Sequence, residues 1–231
     1  MYNDLMPADF YEIRVCNSCG LRYPLVDANA QTFGMRCPAC LGETRVTLRV
    51  SRKLVTEPSR DPPSNSLTPN PSLRSAAPST EQRGELAVLL DNIRSAWNVG
   101  SILRSADGFG FARAYLCGIT PAPDNETVQK TALGAEESVT WSAHKDALKL
   151  VNGLKKEGWK IFALEEDERA VEVGQIGNLT YRTVLIVGNE VTGVDPELLE
   201  LCDTIYYIPM RGKKRSFNVA IAFGIAAYAL S

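Results

Sequence analysis

The sequence predicts an α/β domain with a mainly parallel sheet, preceded by a small cysteine-rich module. Three observations carry this. From Glu85 onward, short apolar runs alternate with segments of helical periodicity, the pattern of strand–helix–strand units. Residues 51–84 hold six prolines and seven serines among almost no large apolar side chains, so they cannot bury enough surface to offset their ordering entropy. Ahead of them, four of the six cysteines form two pairs, Cys16-x2-Cys19 and Cys37-x2-Cys40. The expected organisation is a module over 1–50, a flexible linker over 51–84 and the α/β domain over 85–231.

Within the α/β domain, Leu86 to Leu90 is a continuous apolar run of the kind buried on both faces of a sheet. Asn98 to Gly108 reads as a helix, with Val99, Ile102, Leu103 and Ala106 on one face and Asn98 as N-cap. Further strands are expected at Ala114 to Cys117, Ser138 to Trp141, Lys160 to Leu164, Thr183 to Gly188 and Thr204 to Ile208. Helices are expected at Asn125 to Leu133, His144 to Glu157, Asp195 to Cys202 and Asn218 to Leu230. His144, the only histidine, is expected simply to begin a helix.

The cysteine pairs are separated by 17 residues, the spacing of a tetrahedral zinc site built from two knuckles, with Gly20 and Pro38 supplying turn chemistry. Reduced pairs or disulfides are the alternative. Residues 11–50 then read as a zinc ribbon of short strands at Arg14-Val15, Leu21 to Tyr23 and Arg45 to Val50, a module too small to be held by its core alone. Arg14, Arg22, Arg36, Arg45 and Arg49 decorate it, a face able to grip phosphate or simply a solvated surface. Cys117 and Cys202 lie in apolar contexts and read as buried bystanders.

At 231 residues and 45% hydrophobic, the chain can bury a substantial core, and its net charge of −2 gives no global basic signature, so any nucleic-acid contact must be local. Met1 to Phe10 contains Asp4 and Asp9 and no apolar signal core, and no stretch approaches the roughly 18 apolar residues of a membrane helix. A cytoplasmic protein is expected.

Three strand-to-loop junctions concentrate polar residues and glycines: Asp91 to Gly110, Leu185 to Asp195, and Ile208 to Val219. Ligands of open α/β sheets bind at the carboxyl ends of strands, so these loops are expected to converge on one site. There is no G-x-G-x-x-G after the first strand of the domain and no Walker lysine motif, which argues against a dinucleotide site or a P-loop.

In order and position these junctions resemble the three motifs of the SPOUT superfamily of RNA methyltransferases, in its TrmH/SpoU branch. Asn92, Asn98, Gly100 and Arg104, with Ala106 to Gly110 trailing, are similar to the first motif. Gly188, Glu190 and Gly193 match the second, and Pro209, Met210, Gly212, Ser216, Asn218 and Val219 the third, where Phe217 replaces the usual leucine. Lys130 to Ala135 also resembles a family segment. The resemblance covers residues 85–231 and implies a C-terminal trefoil knot, an exception to the usual avoidance of knots. It further implies a homodimer with its active site at the subunit interface, and transfer of a methyl group from S-adenosylmethionine to a ribose 2′-hydroxyl of ribosomal or transfer RNA.

By the same resemblance, Val187, Gly188, Ile208, Met210, Ser216, Phe217 and Asn218 would hold the cofactor. Arg104 would activate the hydroxyl and hold the neighbouring phosphate, with Asn98, Glu190, Ser216 and Asn218 completing the catalytic set and Glu190 orienting Arg104. Lys213, Lys214 and Arg215 would join Arg104 in holding RNA. Taken singly, these have plainer readings: Asn98 and Asn218 as helix caps, Arg104 as a surface helix residue, Glu190 as a turn residue, the basic run as solvated surface. A base-methylating enzyme of the same fold and a non-catalytic RNA-binding protein are the alternative functions.

Overall fold

A computed structural model describes residues 10–26, 36–51 and 84–231. Two sheets organise them. The first is antiparallel, in the order β2-β1-β3, from β1 (Phe10–Cys16), β2 (Arg22–Leu25) and β3 (Thr44–Ser51). The second has seven strands, all parallel, in the order β6-β5-β4-β9-β7-β10-β8. Its strands are β4 (Leu86–Asp91), β5 (Arg113–Cys117), β6 (Thr140–His144), β7 (Lys160–Leu164), β8 (Val171–Glu172), β9 (Thr183–Val187) and β10 (Thr204–Tyr207).

The central strands are apolar at every position because helices cover both faces of this sheet. Val88 and Leu90 of β4, with Leu185 and Val187 of β9, point into one core together with α1 (Ala96–Gly108), α2 (Glu126–Ala132), α3 (Ala135–Ser138) and α6 (Val219–Leu230). Ala87, Leu89, Val184 and Ile186 point the other way, onto α4 (Ala147–Lys156) and α5 (Pro196–Leu199). Among the described residues, no helix is long and apolar enough to cross a membrane.

Four local expectations are corrected. Helix α1 starts earlier than expected, because Ser95, whose side chain accepts from Asn98 N, is the cap; Asn98 lies in the first turn and its amide is released for other bonds. The strand expected at Ser138 to Trp141 is displaced by the short α3, so β6 runs to His144. That histidine ends a strand and does not begin a helix, and its ring bonds Ser142 Oγ at 2.7 Å. The helix is capped instead by Asp146. Two of the arginines expected on the surface, Arg14 and Arg22, are buried. Strand β8 and the 3-10 turn Val173–Gln175 were not expected, being too short for periodicity to register. The proline-rich segment lies outside the described residues apart from its ends.

Candidate active site and cysteine cluster

The seven parallel strands all end on one side, and a cavity of about 440 Å³ opens there. Leu164 at the end of β7, Val187 at the end of β9 and Tyr207 at the end of β10 form its floor. Its walls are the segment from Gly188 to Gly193 and the stretch that includes Ile208, Met210 and Arg215 to Val219. Of the seven residues expected to hold a cofactor, all line this cavity: Val187, Gly188, Ile208, Met210, Ser216, Phe217 and Asn218. Lys213 and Lys214 lie exposed beside it, and Arg215 lines it.

The Gly188–Gly193 segment is a tight reversal. Asn189 N donates to Gly193 O at 3.0 Å and Gly193 N returns a bond to Asn189 O at 2.9 Å, while the Asn189 side chain donates to Asn92 O and accepts from Val191 N and Thr192 N. This close return explains two motif glycines. A Cβ on Gly188 would stand 2.2 Å from Gly193 C and Val194 N, and Gly193 sits at φ +71° with its Cβ position 2.3 Å from Glu165 Oε2.

Hydrogen bonds join the three junctions. The Glu190 carboxylate accepts from Arg94 N at 2.9 Å, Ser95 N at 3.0 Å and Asn98 Nδ2 at 2.9 Å. Asn98 Oδ1 in turn accepts from Asn218 Nδ2 at 3.0 Å, and Asn218 Oδ1 caps α6 by accepting from Ala220 N. Each amide is thereby fixed in orientation: Asn98 must offer its NH2 to Glu190 and its oxygen to Asn218. Burial pushes the Glu190 carboxyl up, but the donated bonds from Arg94, Asn98 and Ser95 outweigh it and hold its pKa below the ordinary value. Glu190 therefore does not engage Arg104. That arginine is exposed on α1, outside the cavity lining, and its guanidinium makes no hydrogen bond or ion pair among the described residues.

Residues that sequence reasoning missed stand nearby. Glu165 and Glu166 line the cavity at the end of β7, and Glu165 accepts from Val194 N at 2.8 Å and Glu166 N at 3.0 Å. Their place just past a strand's carboxyl end was the available signal. Beneath the reversal, buried Asp91 accepts from Asn92 Nδ2 at 2.8 Å and Asp195 N at 3.0 Å. Burial, then the Asp195 carboxylate, push the Asp91 pKa up to about 7 against the pull of the Asp195 N–H, Asn92 and Arg22.

This shift makes folding pH-dependent. The folded chain holds the Asp91 proton more tightly than the unfolded chain, so its stabilising contribution is complete below about pH 4 and is lost as pH rises through about 7. Urea midpoints taken from pH 5 to 8 are expected to fall more for the native chain than for Asp91→Asn; parallel slopes would refute the assignment.

In the N-terminal sheet, the four cysteine sulfurs all lie within 4.8 Å of one another. Cys16 and Cys40 Sγ are 3.5 Å apart and Cys19 and Cys37 Sγ 3.7 Å apart. These separations exceed the about 2.05 Å of a disulfide. They match the roughly 3.8 Å expected between thiolates at about 2.3 Å from a tetrahedral zinc ion. The two knuckles repeat one geometry: Gly20 N donates to Cys16 O and Leu41 N to Cys37 O, with Gly20 and Leu41 both in the left-handed conformation. Leu41, and not Pro38, therefore takes the place in the second knuckle that Gly20 takes in the first. The Cys19 N–H is directed at Cys16 Sγ at 3.4 Å, a donated bond that favours the thiolate form.

Known proteins share this architecture. The chain is 33% identical over 150 residues to a 23S rRNA (guanosine-2′-O-)-methyltransferase of Coxiella burnetii, covering 62% of this chain and 56% of that one. It is 30% identical over 144 residues to the tRNA (guanosine(18)-2′-O)-methyltransferase of Escherichia coli K12, covering 62% of each. The chain thus spans less than two thirds of the length of these relatives. An AdoMet-bound rRNA methyltransferase from Sinorhizobium meliloti superposes with a TM-score of 0.60 at 28% identity, over 64% of this chain and 56% of that one. The TrmH/SpoU tRNA modifying enzyme of Aquifex aeolicus gives 0.58 at 30% identity, over 64% and 75%. The model of the SpoU rRNA Methylase family matches residues 85–228, which contain all three hydrogen-bonded junctions and the cavity between them; the chain belongs to that family.

Proposed function

We propose that this protein is an S-adenosylmethionine-dependent RNA methyltransferase acting on a ribose 2′-hydroxyl of ribosomal or transfer RNA. The observation that carries the reading is the Glu190–Asn98–Asn218 relay, which ties the three family motifs into one polar wall at the mouth of the cavity. The names of the relatives, which act on rRNA and tRNA guanosine, support the ribose as target.

The cavity fits the cofactor. Its volume falls within the roughly 300–1,000 Å³ of small-molecule sites, and Val187, Ile208, Met210 and Phe217 offer apolar walls for an adenine. Gly188, just past the end of β9, and Ser216 and Asn218, just ahead of α6, would add polar and backbone contacts. When bound, S-adenosylmethionine supplies an activated methyl group. Arg104 orients the ribose hydroxyl and the adjoining phosphate through the charge and the planar donors of its guanidinium. Asn98, itself fixed by Glu190, positions the ribose or phosphate against this group, and Ser216 and Asn218 hold the third loop closed. Lys213, Lys214 and Arg215 give the RNA backbone a local basic edge.

A homodimer brings Arg104 to the site. Helix α6 is apolar all round, yet only one side is covered: Phe223, Ala226 and Ala227 are buried, while Ile221 is 56% and Tyr228 74% exposed. The adjacent α1 leaves Trp97 65% exposed on the side that carries Arg104. A second copy covers this surface and places one protomer's Arg104 beside its partner's cavity. We also assign the C-terminal segment a trefoil knot, supported by its path from β9 across to β10 beyond β7 and back to pack α6 on α1. The division at 1–50, 51–84 and 85–231 and a cytoplasmic location complete the proposal.

Incubation with methyl-labelled S-adenosylmethionine and total rRNA and tRNA, followed by mapping of 2′-O-methyl sites, tests the activity. Label on a base would point to the base-methylating reading, and no transfer to any RNA despite cofactor binding would sink the enzyme.

We assign zinc to Cys16, Cys19, Cys37 and Cys40, and expect one ion per chain by elemental analysis. A structural zinc site supplies much of the folding free energy of so small a sheet. Chelation is expected to expose the amides of β1, β2 and β3 to rapid hydrogen exchange while those of β4 and β9 stay protected; unchanged protection in the first set would remove the metal's role.

A further inference from the structure

Arg22 is a charged residue of the N-terminal sheet, yet it is buried against the α/β domain. Its Nε donates to Asp195 Oδ2 at 2.7 Å, a second guanidinium nitrogen reaches Glu197 Oε2, and Nη1 donates to Thr47 Oγ1 at 3.2 Å. Its main-chain N–H donates to Lys145 O at 2.8 Å. Arg22 lies between Leu21 and Tyr23, both of which pack on the cysteine cluster, and Ile119 of the α/β domain joins that cluster. Tyr11 Oη makes one more link across, donating to Thr192 O at 3.4 Å.

The surface that receives Arg22 is the back of the cavity wall. Asp195 follows directly on the Gly188–Val194 reversal and caps α5 by accepting from Glu197 N at 3.0 Å. Its own N–H donates to buried Asp91. Two carboxylates thus adjoin at the foot of the reversal, and among the described residues Arg22 is the one cation paired with Asp195. A buried carboxylate beside a second one is costly unless it is paired, and the Arg22 guanidinium supplies the pairing. With Arg22 in place, the anchor of the reversal is neutralised on one side, while Asn189 holds its other end to Asn92 O.

We propose that Arg22 is a positioning residue for the cofactor cavity: the cysteine-rich module braces the second-motif loop from behind, and so sets affinity for S-adenosylmethionine without touching it. This rests on the cavity being the cofactor site proposed above. The planar fork of arginine is needed because two carboxylates and a hydroxyl are engaged at once; lysine offers the charge without that geometry.

Isothermal titration of S-adenosylmethionine into the metal-loaded full chain tests the brace. Arg22→Ala is expected to weaken binding at least about tenfold, Arg22→Lys to recover part of that loss, and Asp195→Asn, which keeps the helix cap, to weaken binding as well. In a transfer assay the Arg22→Lys chain should show a raised KM for cofactor with kcat, at saturating cofactor, within about threefold of native. A purely structural role would lower the melting temperature of the variants without this split. Wild-type and Arg22→Lys affinities equal within about twofold, with Asp195→Asn also unchanged, would overturn the inference alone. Absence of binding by the native chain would overturn the functional reading, and the brace with it.

Discussion

Replacing Arg104 by alanine is expected to reduce methyl transfer by at least about 100-fold, the lower end of the effect of removing one preorganised donor that stabilises developing charge, with cofactor affinity nearly unchanged. The two effects separate because of where Arg104 lies. It is exposed on α1, it lines no part of the cavity, and its guanidinium braces no other side chain among the described residues, so its loss leaves the cavity as it was. Nor does it take part in the Glu190 relay, which draws on Arg94 N, Ser95 N and Asn98. Single-turnover transfer to RNA, measured beside calorimetric titration of S-adenosylmethionine, checks both parts. A large loss of cofactor affinity would show that Arg104 shapes the cavity, contrary to its position; transfer within about threefold of native would remove it from the chemistry.

Gly188→Ala should have the opposite signature. The added Cβ would stand 2.2 Å from two backbone atoms of the returning chain, Gly193 C and Val194 N, so no side-chain rotation relieves it. The reversal must open, which draws Val194 N away from Glu165 and disturbs the wall of the cavity. Overpacking of this kind costs about 1–3 kcal/mol, and cofactor affinity is expected to fall roughly 10- to 100-fold. Thermal unfolding with and without cofactor provides the measurement: the variant should lose most of the cofactor-induced rise in melting temperature. A rise equal to that of the native chain would mean the reversal tolerates the methyl group and does not shape the site.

The two predictions differ in how far the sequence reached. That Gly188 precedes a tight turn was legible from Gly188, Glu190 and Gly193 at the end of an apolar strand. Why it must be glycine was not, since the clash is with a main chain five residues on that folds back. Arg104 was singled out by resemblance to a motif, and its freedom from Glu190 became visible only once α1 began at Ala96 and turned the side chain of Asn98 toward that carboxylate. The N-cap assignment failed for the same reason. Asn98 and Ser95 are both good caps, and propensity alone does not choose between caps three residues apart.

What the sequence determined by itself was periodic or local: the buried central strands, the order of the longer strands and helices, the two cysteine pairs and the three polar junctions. Each depends on residues close together along the chain, through the two-residue repeat of a strand, the 3.6-residue repeat of a helix or the reach of a turn. The tertiary structure alone decided which distant groups meet. It joined Glu190 to Asn98 and Asn98 to Asn218 across 92 and 120 positions, and it brought Arg22 to Asp195 across 173. It also buried two arginines that charge alone had placed in solvent. Such pairings follow from the strand order β4-β9-β7-β10 and from the docking of one sheet on another. They carry no periodic signal, because a hydrogen bond between remote side chains constrains two positions and nothing in between.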